Sequence, residues 1–328
     1  MNDIGYERPA SVADAIRLAA RPGAAFVAGG TNLIDLMKGH VAMPTLLVDV
    51  NRLPLADVAQ RPDGGVRIGA MVRNSDLADH ALIRDGYPLL SQALVSGASP
   101  QLRNMATVGG NLMQRTRCYY FYDPAFAACN KRVPGSGCAA RAGHNRIHAV
   151  LGASNACVAT NPSDMSVALA ALRADVVVQG SAGERRLPIA DFHRLPGDTP
   201  ERDTNLAPGE LIVAVDLPPS PFAARSHYLK VRDRASYAFA LVSVAAALDI
   251  RDGVVRDAGL ALGGVAHRPW RVAEAENALV GRPLDDASIR VASDRLLAGA
   301  APLKENAFKV ELARRSIARA LKTAGGLA

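Results

Sequence analysis

The sequence predicts an α+β protein whose architecture changes near residue 220. Before that point, short apolar runs alternate with glycine turns and helical periods. After it, three long apolar runs, SHYLKVR, FALVSVAAALDI and VRDAGLALGGVA, read as an antiparallel meander. From about Trp270 onward the apolar spacing is helical, as in FKVELARRSIARALKTA (308–324). PPSP (218–221) between the two parts is the most linker-like stretch of the chain.

Element by element, Ser11 followed by Asp14 is a capping-box-like start for a first helix, Val12 to Ala20. AAFVAGGTNLIDLMK then reads as a short buried strand, a glycine turn and a helix. TLLVDV (45–50) and VRIGAM (66–71) are β-branched runs of strand length. Asn74 or Ser75 is placed to cap a helix leading towards Tyr87, and LLSQALVSGAS gives another helical period. TVGGN (107–111) is a second glycine turn. Ser163 caps DMSVALAALRA, which feeds the strand DVVVQG, and Pro208-Gly209 introduces the strand ELIVAVDL.

At 328 residues the chain is long enough for two or three domains. No apolar run reaches the roughly twenty residues of a membrane helix. MNDIGYERPASVADAIRL carries acidic residues where a signal peptide has a basic region and an apolar core, so no export signal is expected. The formal charge of +7 is dispersed, with no basic block interleaved with aromatics. Nucleic acid is therefore not the expected partner; an acidic partner subunit suits the charge better.

All four cysteines, Cys118, Cys129, Cys138 and Cys157, fall in one segment. Thiolate is the preferred ligand of iron–sulfur clusters and of structural zinc, and four closes either site. The gaps of ten, eight and eighteen residues contain no CxxC pair, which speaks against a zinc ribbon or a ferredoxin fingerprint. Such gaps suit a loop wrapped around a cluster, with Pro134, Gly135 and Gly137 supplying turns. Two disulfides, structural zinc and four unrelated buried thiols remain as alternatives. His144 and His148 lie within the segment, and beside Arg146 they read more readily as surface side chains than as ligands.

The two glycine pairs, AGGTN (28–32) and TVGGN, let successive backbone N–H groups curl around an anion, because no Cβ blocks its approach. Thr31, Asn32, Thr107 and Asn111 add side chains of the right length to hydrogen-bond it. Neither pair is a Rossmann fingerprint or a P-loop, and each alone marks only a turn. In their order, AGGTNLIDLMK, TVGGN, PGELIVAVDLPP and YLKVRDRASYAFALVSVAAAL resemble the FAD-binding medium subunits of the xanthine dehydrogenase and aldehyde oxidoreductase family of molybdenum hydroxylases. The resemblance covers essentially the whole chain.

It implies a two-part FAD-binding domain of the PCMH type over 1–220, made of two α/β subdomains. A C-terminal domain with a three-stranded antiparallel sheet and helices follows over 221–328. In most members a segment like NPSDM (161–165) follows GGN closely; here a stretch at about 115–159 intervenes and carries every cysteine. RTRCYYFYDP, CNKRVPGSGCAA and SNACVATNPSDM resemble the insertion of three-subunit bacterial periplasmic aldehyde oxidoreductases and, less closely, of 4-hydroxybenzoyl-CoA reductases. That likeness implies a 4Fe–4S cluster held by the four cysteines.

By the same resemblance, Ala28, Gly29, Gly30, Thr31, Asn32 and Leu33 wrap the FAD pyrophosphate. Thr107, Gly110 and Asn111 close its other side, Asp164 contacts the flavin or its ribityl chain, Lys230 lies near the flavin, and Ile212 packs against it. Without the resemblance, Asp164 reads as a first-turn acid, Lys230 as an exposed strand lysine and Ile212 as plain core. Tyr119 to Tyr122 would shield the cluster or fill an interface, and Arg232 and Arg234 read as surface charges or partner contacts.

No nucleophile–base pair and no catalytic residue is expected. The implied partners are a large molybdenum-cofactor subunit, a small 2Fe–2S subunit and an electron acceptor. Folding in the cytoplasm is expected, with the periplasm reached only in a complex exported on a partner's signal. The rival readings are a xanthine dehydrogenase or hydroxybenzoyl-CoA reductase subunit, a zinc-stapled flavin-free assembly subunit, and a free-standing flavoenzyme.

Overall fold

The computed structural model describes residues 3–327. Its strands form three sheets among those residues. β1 (Gly5–Glu7), β2 (Ala24–Val27) and β3 (Leu46–Asp49) make a parallel sheet in the order β1-β3-β2. β4 (Val58–Gln60), β5 (Val66–Gly69), β6 (Asp175–Gly180), β7 (Gly183–Pro188) and β8 (Leu211–Leu217) make an antiparallel sheet in the order β4-β5-β8-β6-β7. β9 (Ser226–Val231), β10 (Val242–Arg251), β11 (Val254–Gly263) and β12 (Trp270–Arg271) form the C-terminal sheet, in the order β12-β11-β10-β9.

The antiparallel meander of β9, β10 and β11 is as the sequence predicts. Trp270 and Arg271, however, belong to a fourth strand and not to the helical region, pairing with Leu262 and Ala261. The strand β7, GERRLP, escapes the hydrophobic pattern because it is almost entirely exposed. β8 between its neighbours is buried along its full length, which is why LIVAVDL shows no alternation.

The helix Val12–Ala19 starts at Ser11, whose side chain accepts from the Asp14 backbone N–H. The helical period between Arg73 and Tyr87 is two short helices, Asn74–Asp79 and Ala81–Gly86, divided at His80 by an extended backbone. Asn74 and Ser75 lie inside the first helix, and neither caps it. TVGGN is also not a free turn: Val108–Leu112 is a short helix, and the Thr107 side chain accepts from the Gly110 backbone N–H.

Helix Asp164–Ala171 is buried at every residue, consistent with a sequence that is apolar apart from Asp164 and Ser166, the latter hydrogen-bonded to the Ser163 hydroxyl. It packs beneath β10 and β11, and at Gly259 a Cβ would lie 2.3 Å from the Ala171 carbonyl oxygen. This contact joins the N-terminal part to the C-terminal sheet. The long helix Phe308–Gly325 covers the other face, closing a core that includes Val244, Leu248, Leu260, Ile317 and Leu321.

Candidate functional site

A cleft of about 630 Å³ opens where the three sheets' loops meet. Thr31 and Asn32 reach it from the turn after β2. Gly110 and Asn111 come from the helix Val108–Leu112, and Asn161 to Asp164 from the start of the fully buried helix. Lys230 and the loop Arg234 to Leu241 close it from the C-terminal sheet.

Gly29 has a plain steric reason to be glycine. A Cβ there would sit 1.9 Å from the Met105 carbonyl oxygen, so the first glycine turn and the segment leading into TVGGN touch backbone to backbone. The first glycine segment runs directly into the helix Leu33–Lys38. The second lies within the helix Val108–Leu112, whose first N–H groups donate to the Val72 and Ala70 carbonyls and to the Thr107 hydroxyl oxygen.

Asp164 and Lys230 meet in the floor of the cleft, Nζ to Oδ2 at 2.7 Å, with side chains 5% and 8% exposed for the lysine and the aspartate respectively. Tyr228 Oη donates to Asp164 Oδ1 at 2.7 Å, and Lys230 Nζ donates to the Ser96 carbonyl at 3.0 Å. Burial, followed by the Asp164 charge, holds the Tyr228 phenol well above its ordinary value, so it acts as a donor. Lys230 is thus neither an exposed strand lysine nor an isolated cation. Its charge is largely answered by Asp164, and the cleft's further cations are Arg103, Arg117 and Arg234. Arg234, expected on the open surface, lines the cleft.

Of the twelve residues the sequence singles out here, Thr31, Asn32, Gly110, Asn111, Asp164 and Lys230 line the cleft. Ala28, Gly29, Gly30 and Leu33 shape the turn without contributing to the wall. The Thr107 side chain is buried, its hydroxyl oxygen accepts the Gly110 N–H as a helix cap, and it does not line the cleft. Ile212 lies in the core of the N-terminal part, opposite Val178 on β6, and not on the wall of the cleft.

Asn32 also departs from the expected role of anion donor. Its Nδ2 donates to Tyr122 Oη at 3.0 Å, and its Oδ1 accepts from the Arg115 backbone N–H at 2.9 Å. The side chain therefore anchors the cysteine segment to the glycine turn. Sequence reasoning passed over Asn74, which lines the cleft with a buried Oδ1 that has no partner among the described residues. It also passed over Tyr228. Asn74 gave only a helix-start signal, and Tyr228 looked like any strand aromatic.

The four cysteines, spread over the segment at about 115–159, line one small pocket with Tyr120, Phe121 and alanines 128, 139, 140, 156 and 159. All four are free thiols, so the two-disulfide alternative is not realised. An isolated bridge pairs Cys129 with Cys138 in antiparallel fashion, drawing the middle two together. Cys118, Cys129 and Cys157 are buried. Burial pushes the Cys118 thiol up to about 12, against the opposing pull of the Phe121 and Tyr120 backbone N–H groups. The same effect takes Cys157 to about 11, with Lys131 opposing it. Among the described residues, no three His, Cys, Asp or Glu side chains close around a single metal ion.

His148 is not a surface residue. It is 1% exposed, and its Nε2 lies 3.0 Å from Cys118 Sγ. His144, by contrast, is on the surface beside Glu305, as expected.

Lys131, which lines the pocket and is itself buried, is held by Asp203 and the Pro200 carbonyl. Arg115 also pairs with Asp203, at 2.6 Å. Burial works against the Asp203 carboxylate, but Lys131, Arg115 and His267 outweigh it and hold it at about 2.

The cleft and the pocket share a wall. Arg117 and Tyr119, on either side of Cys118, line the cleft, and so does Thr160, next to the pocket residue Ala159.

Comparison with known proteins agrees with this arrangement. Residues 2–220 match the family described as "FAD binding domain in molybdopterin dehydrogenase". Residues 227–324 match the "CO dehydrogenase flavoprotein C-terminal domain". The chain is 53% identical over 326 residues to the aldehyde oxidoreductase FAD-binding subunit PaoB of Escherichia coli strain K12, covering 99% of both proteins. It is 29% identical to the glyceraldehyde dehydrogenase medium chain of Sulfolobus acidocaldarius, over 87% of this chain and 83% of that one. Among solved structures, a chain of the reconstituted CO dehydrogenase from Oligotropha carboxidovorans superposes with a TM-score of 0.79. It is 24% identical, covers 100% of this chain and 99% of its own, and shows the shared fold.

Proposed function

The chain belongs to the FAD-binding medium subunits of the molybdenum hydroxylases, and on that premise we propose that it carries FAD and a 4Fe–4S cluster in a three-subunit aldehyde oxidoreductase. In this reading it stands between the 2Fe–2S centres of a small partner subunit and an external electron acceptor, while a large molybdenum-cofactor subunit oxidises the aldehyde. The observation that carries the proposal is the convergence of all four cysteines on one buried pocket that shares a wall with the cleft.

The residues present fit both groups. The cleft combines the glycine turn at Thr31, an unpartnered Asn74 oxygen, a buried Asp164–Lys230 pair and the cations Arg103, Arg117 and Arg234, a donor and acceptor set suited to a flavin nucleotide. The pocket offers four thiols walled by five alanines, Tyr120 and Phe121, with Asn130 and Lys131 beside them. A cubane cluster spreads its thiolate ligands farther apart than a single ion does, so four sulfurs around a pocket accord with it. A flavin exchanges one or two electrons, and an iron–sulfur cluster one at a time.

The chain's own work is placement. Thr31, Gly110 and Asn111 would bracket the phosphates, and Gly29 lets the turn after β2 come close to the segment before the helix Val108–Leu112. Asp164 and Lys230 present an acceptor and a donor at a fixed spacing because Tyr228 and the Ser96 carbonyl hold them. Tyr120 and Phe121 keep water from the cysteines. The 53% identity to a protein named as an aldehyde oxidoreductase subunit supports that substrate class over purines.

The test is an absorption spectrum of the complex from its native source, oxidised and then dithionite-reduced, with iron and acid-labile sulfide assayed and the metal on this chain resolved from that of the partners. Flavin together with about four irons on this chain is the expected result. Flavin with no iron here removes the cluster from the reading, and zinc with neither iron nor flavin favours the zinc-stapled, flavin-free alternative. A complex without flavin overturns the reading as a whole. Turnover of aldehydes is expected to exceed turnover of xanthine.

A further inference from the structure

We propose that His148 donates a hydrogen bond from Nε2 to the sulfur of Cys118 and thereby raises the reduction potential of the cluster; this rests on the cluster reading above. Among the described residues, His148 is the one side chain whose polar atom reaches a cysteine sulfur, at 3.0 Å. The other ring nitrogen, Nδ1, is buried and has no partner.

These two facts assign the tautomer. A neutral imidazole carries one N–H. On Nδ1 that proton would be a buried donor with no acceptor, which folded proteins rarely tolerate. On Nε2 it points at Cys118 Sγ. A cysteine that ligates iron is a thiolate and can only accept, so the ligated state requires the proton on Nε2.

The ring is held in place from behind. The His148 backbone N–H donates to the Asn145 carbonyl at 3.0 Å. Its carbonyl accepts from Lys309 Nζ at 2.9 Å and from Asn306 Nδ2 at 3.2 Å. Lys309 is fully buried, and its remaining protons go to the carbonyls of Gly264 and Ile147. Ile147 and Gly264 line the cleft, so one lysine fixes both the cleft wall and the histidine that faces the pocket.

A donor to a ligating sulfur withdraws charge from the cluster. That favours the reduced, more negative state, as hydrogen bonds to cluster sulfurs generally do. No covalent step is involved; His148 is a positioning and tuning residue.

The experiment uses the intact complex. First, it is labelled with 15N-histidine, the cluster is reduced, and pulsed EPR is recorded in H2O and D2O. A histidine nitrogen coupling together with an exchangeable proton coupling is expected. Second, EPR-monitored redox titrations compare the wild type with His148→Leu and His148→Gln. The Leu variant is expected to titrate at a more negative potential, on the scale of a tenfold change in a one-electron equilibrium, about 59 mV. The Gln variant, which keeps an N–H, should lie nearer the wild type.

A Leu variant with full iron and an unchanged potential overturns the inference, as does a wild-type cluster with neither coupling. Should the Leu variant lose its iron, the wild-type couplings decide the matter alone. A wild-type chain with flavin and no iron fails at the earlier reading, and this inference falls with it.

Discussion

At the residue scale, Asp164 and Lys230 show how burial converts two ordinary side chains into one unit. Each charge has left water, which costs several kcal/mol per ion unless a partner answers it. Here the partner is 2.7 Å away, and Tyr228 and the Ser96 carbonyl supply further hydrogen bonds. Lys230→Met leaves the Asp164 carboxylate buried and facing only Tyr228. It should cost about 3–5 kcal/mol of stability and lower the flavin content of the purified complex. Denaturant unfolding and the flavin-to-protein ratio measure the two effects. The double variant Asp164→Asn, Lys230→Met should recover much of the stability, because it buries no unanswered charge, but not the flavin. Sequence alone suggested both positions only through their resemblance to a family. The pairing itself joins residues 66 apart in the chain, and no local pattern encodes it. His148 makes the same point in reverse: beside Arg146 it looked solvated, yet the fold turns Arg146 outward to Asp233 and His148 inward to sulfur.

At the scale of elements, the strand, glycine turn and helix of AAFVAGGTNLIDLMK were legible because each part carries its own signal, a β-branched and aromatic run, a Gly-Gly pair and a helical period. TVGGN was less so. Two glycines argue for a turn, but the Thr107 cap and packing against Ala70 stabilise a short helix instead. The close approach of the two segments depends on Gly29. Gly29→Ala would set a methyl 1.9 Å from the Met105 carbonyl oxygen, so the two segments must part. The expected outcome is a folded protein whose flavin-to-protein ratio, read from its absorption spectrum, falls well below that of the wild type. Full flavin occupancy in that variant would show that the contact between the segments does not shape the binding site. Asn32 belongs here as well, since its side chain ties the glycine turn to the cysteine segment through Tyr122 and Arg115.

At the scale of the whole molecule, buried histidines couple the assembly to pH. His193 and His267 are both held at about 4, chiefly by burial, below their ordinary 6.5. His193, just after the short helix Ile189–Phe192, reaches the Leu112 carbonyl, and His267 reaches from the C-terminal part to the Arg194 carbonyl. Between pH about 6.5 and 4 the unfolded chain binds protons that the folded one does not. Stability should therefore fall as the pH drops through that window, by roughly 1.4 kcal/mol per unit for each histidine. Chemical denaturation at a series of pH values measures the slope, and His193→Gln should remove one proton's share of it. Asp203, held at about 2, adds stability that is lost only at more acid pH. By itself the sequence determined the α+β class, the meander, the change of pattern near residue 220 and the gathering of every cysteine in one segment, because periodicity, turn chemistry and composition are local. The tertiary structure alone decided that Asp164 meets Lys230, that Asn32 serves as an anchor, that Ile212 is core and that His148 faces Cys118. Those outcomes depend on which surfaces are removed from water together, and that is settled by packing between segments far apart in the chain.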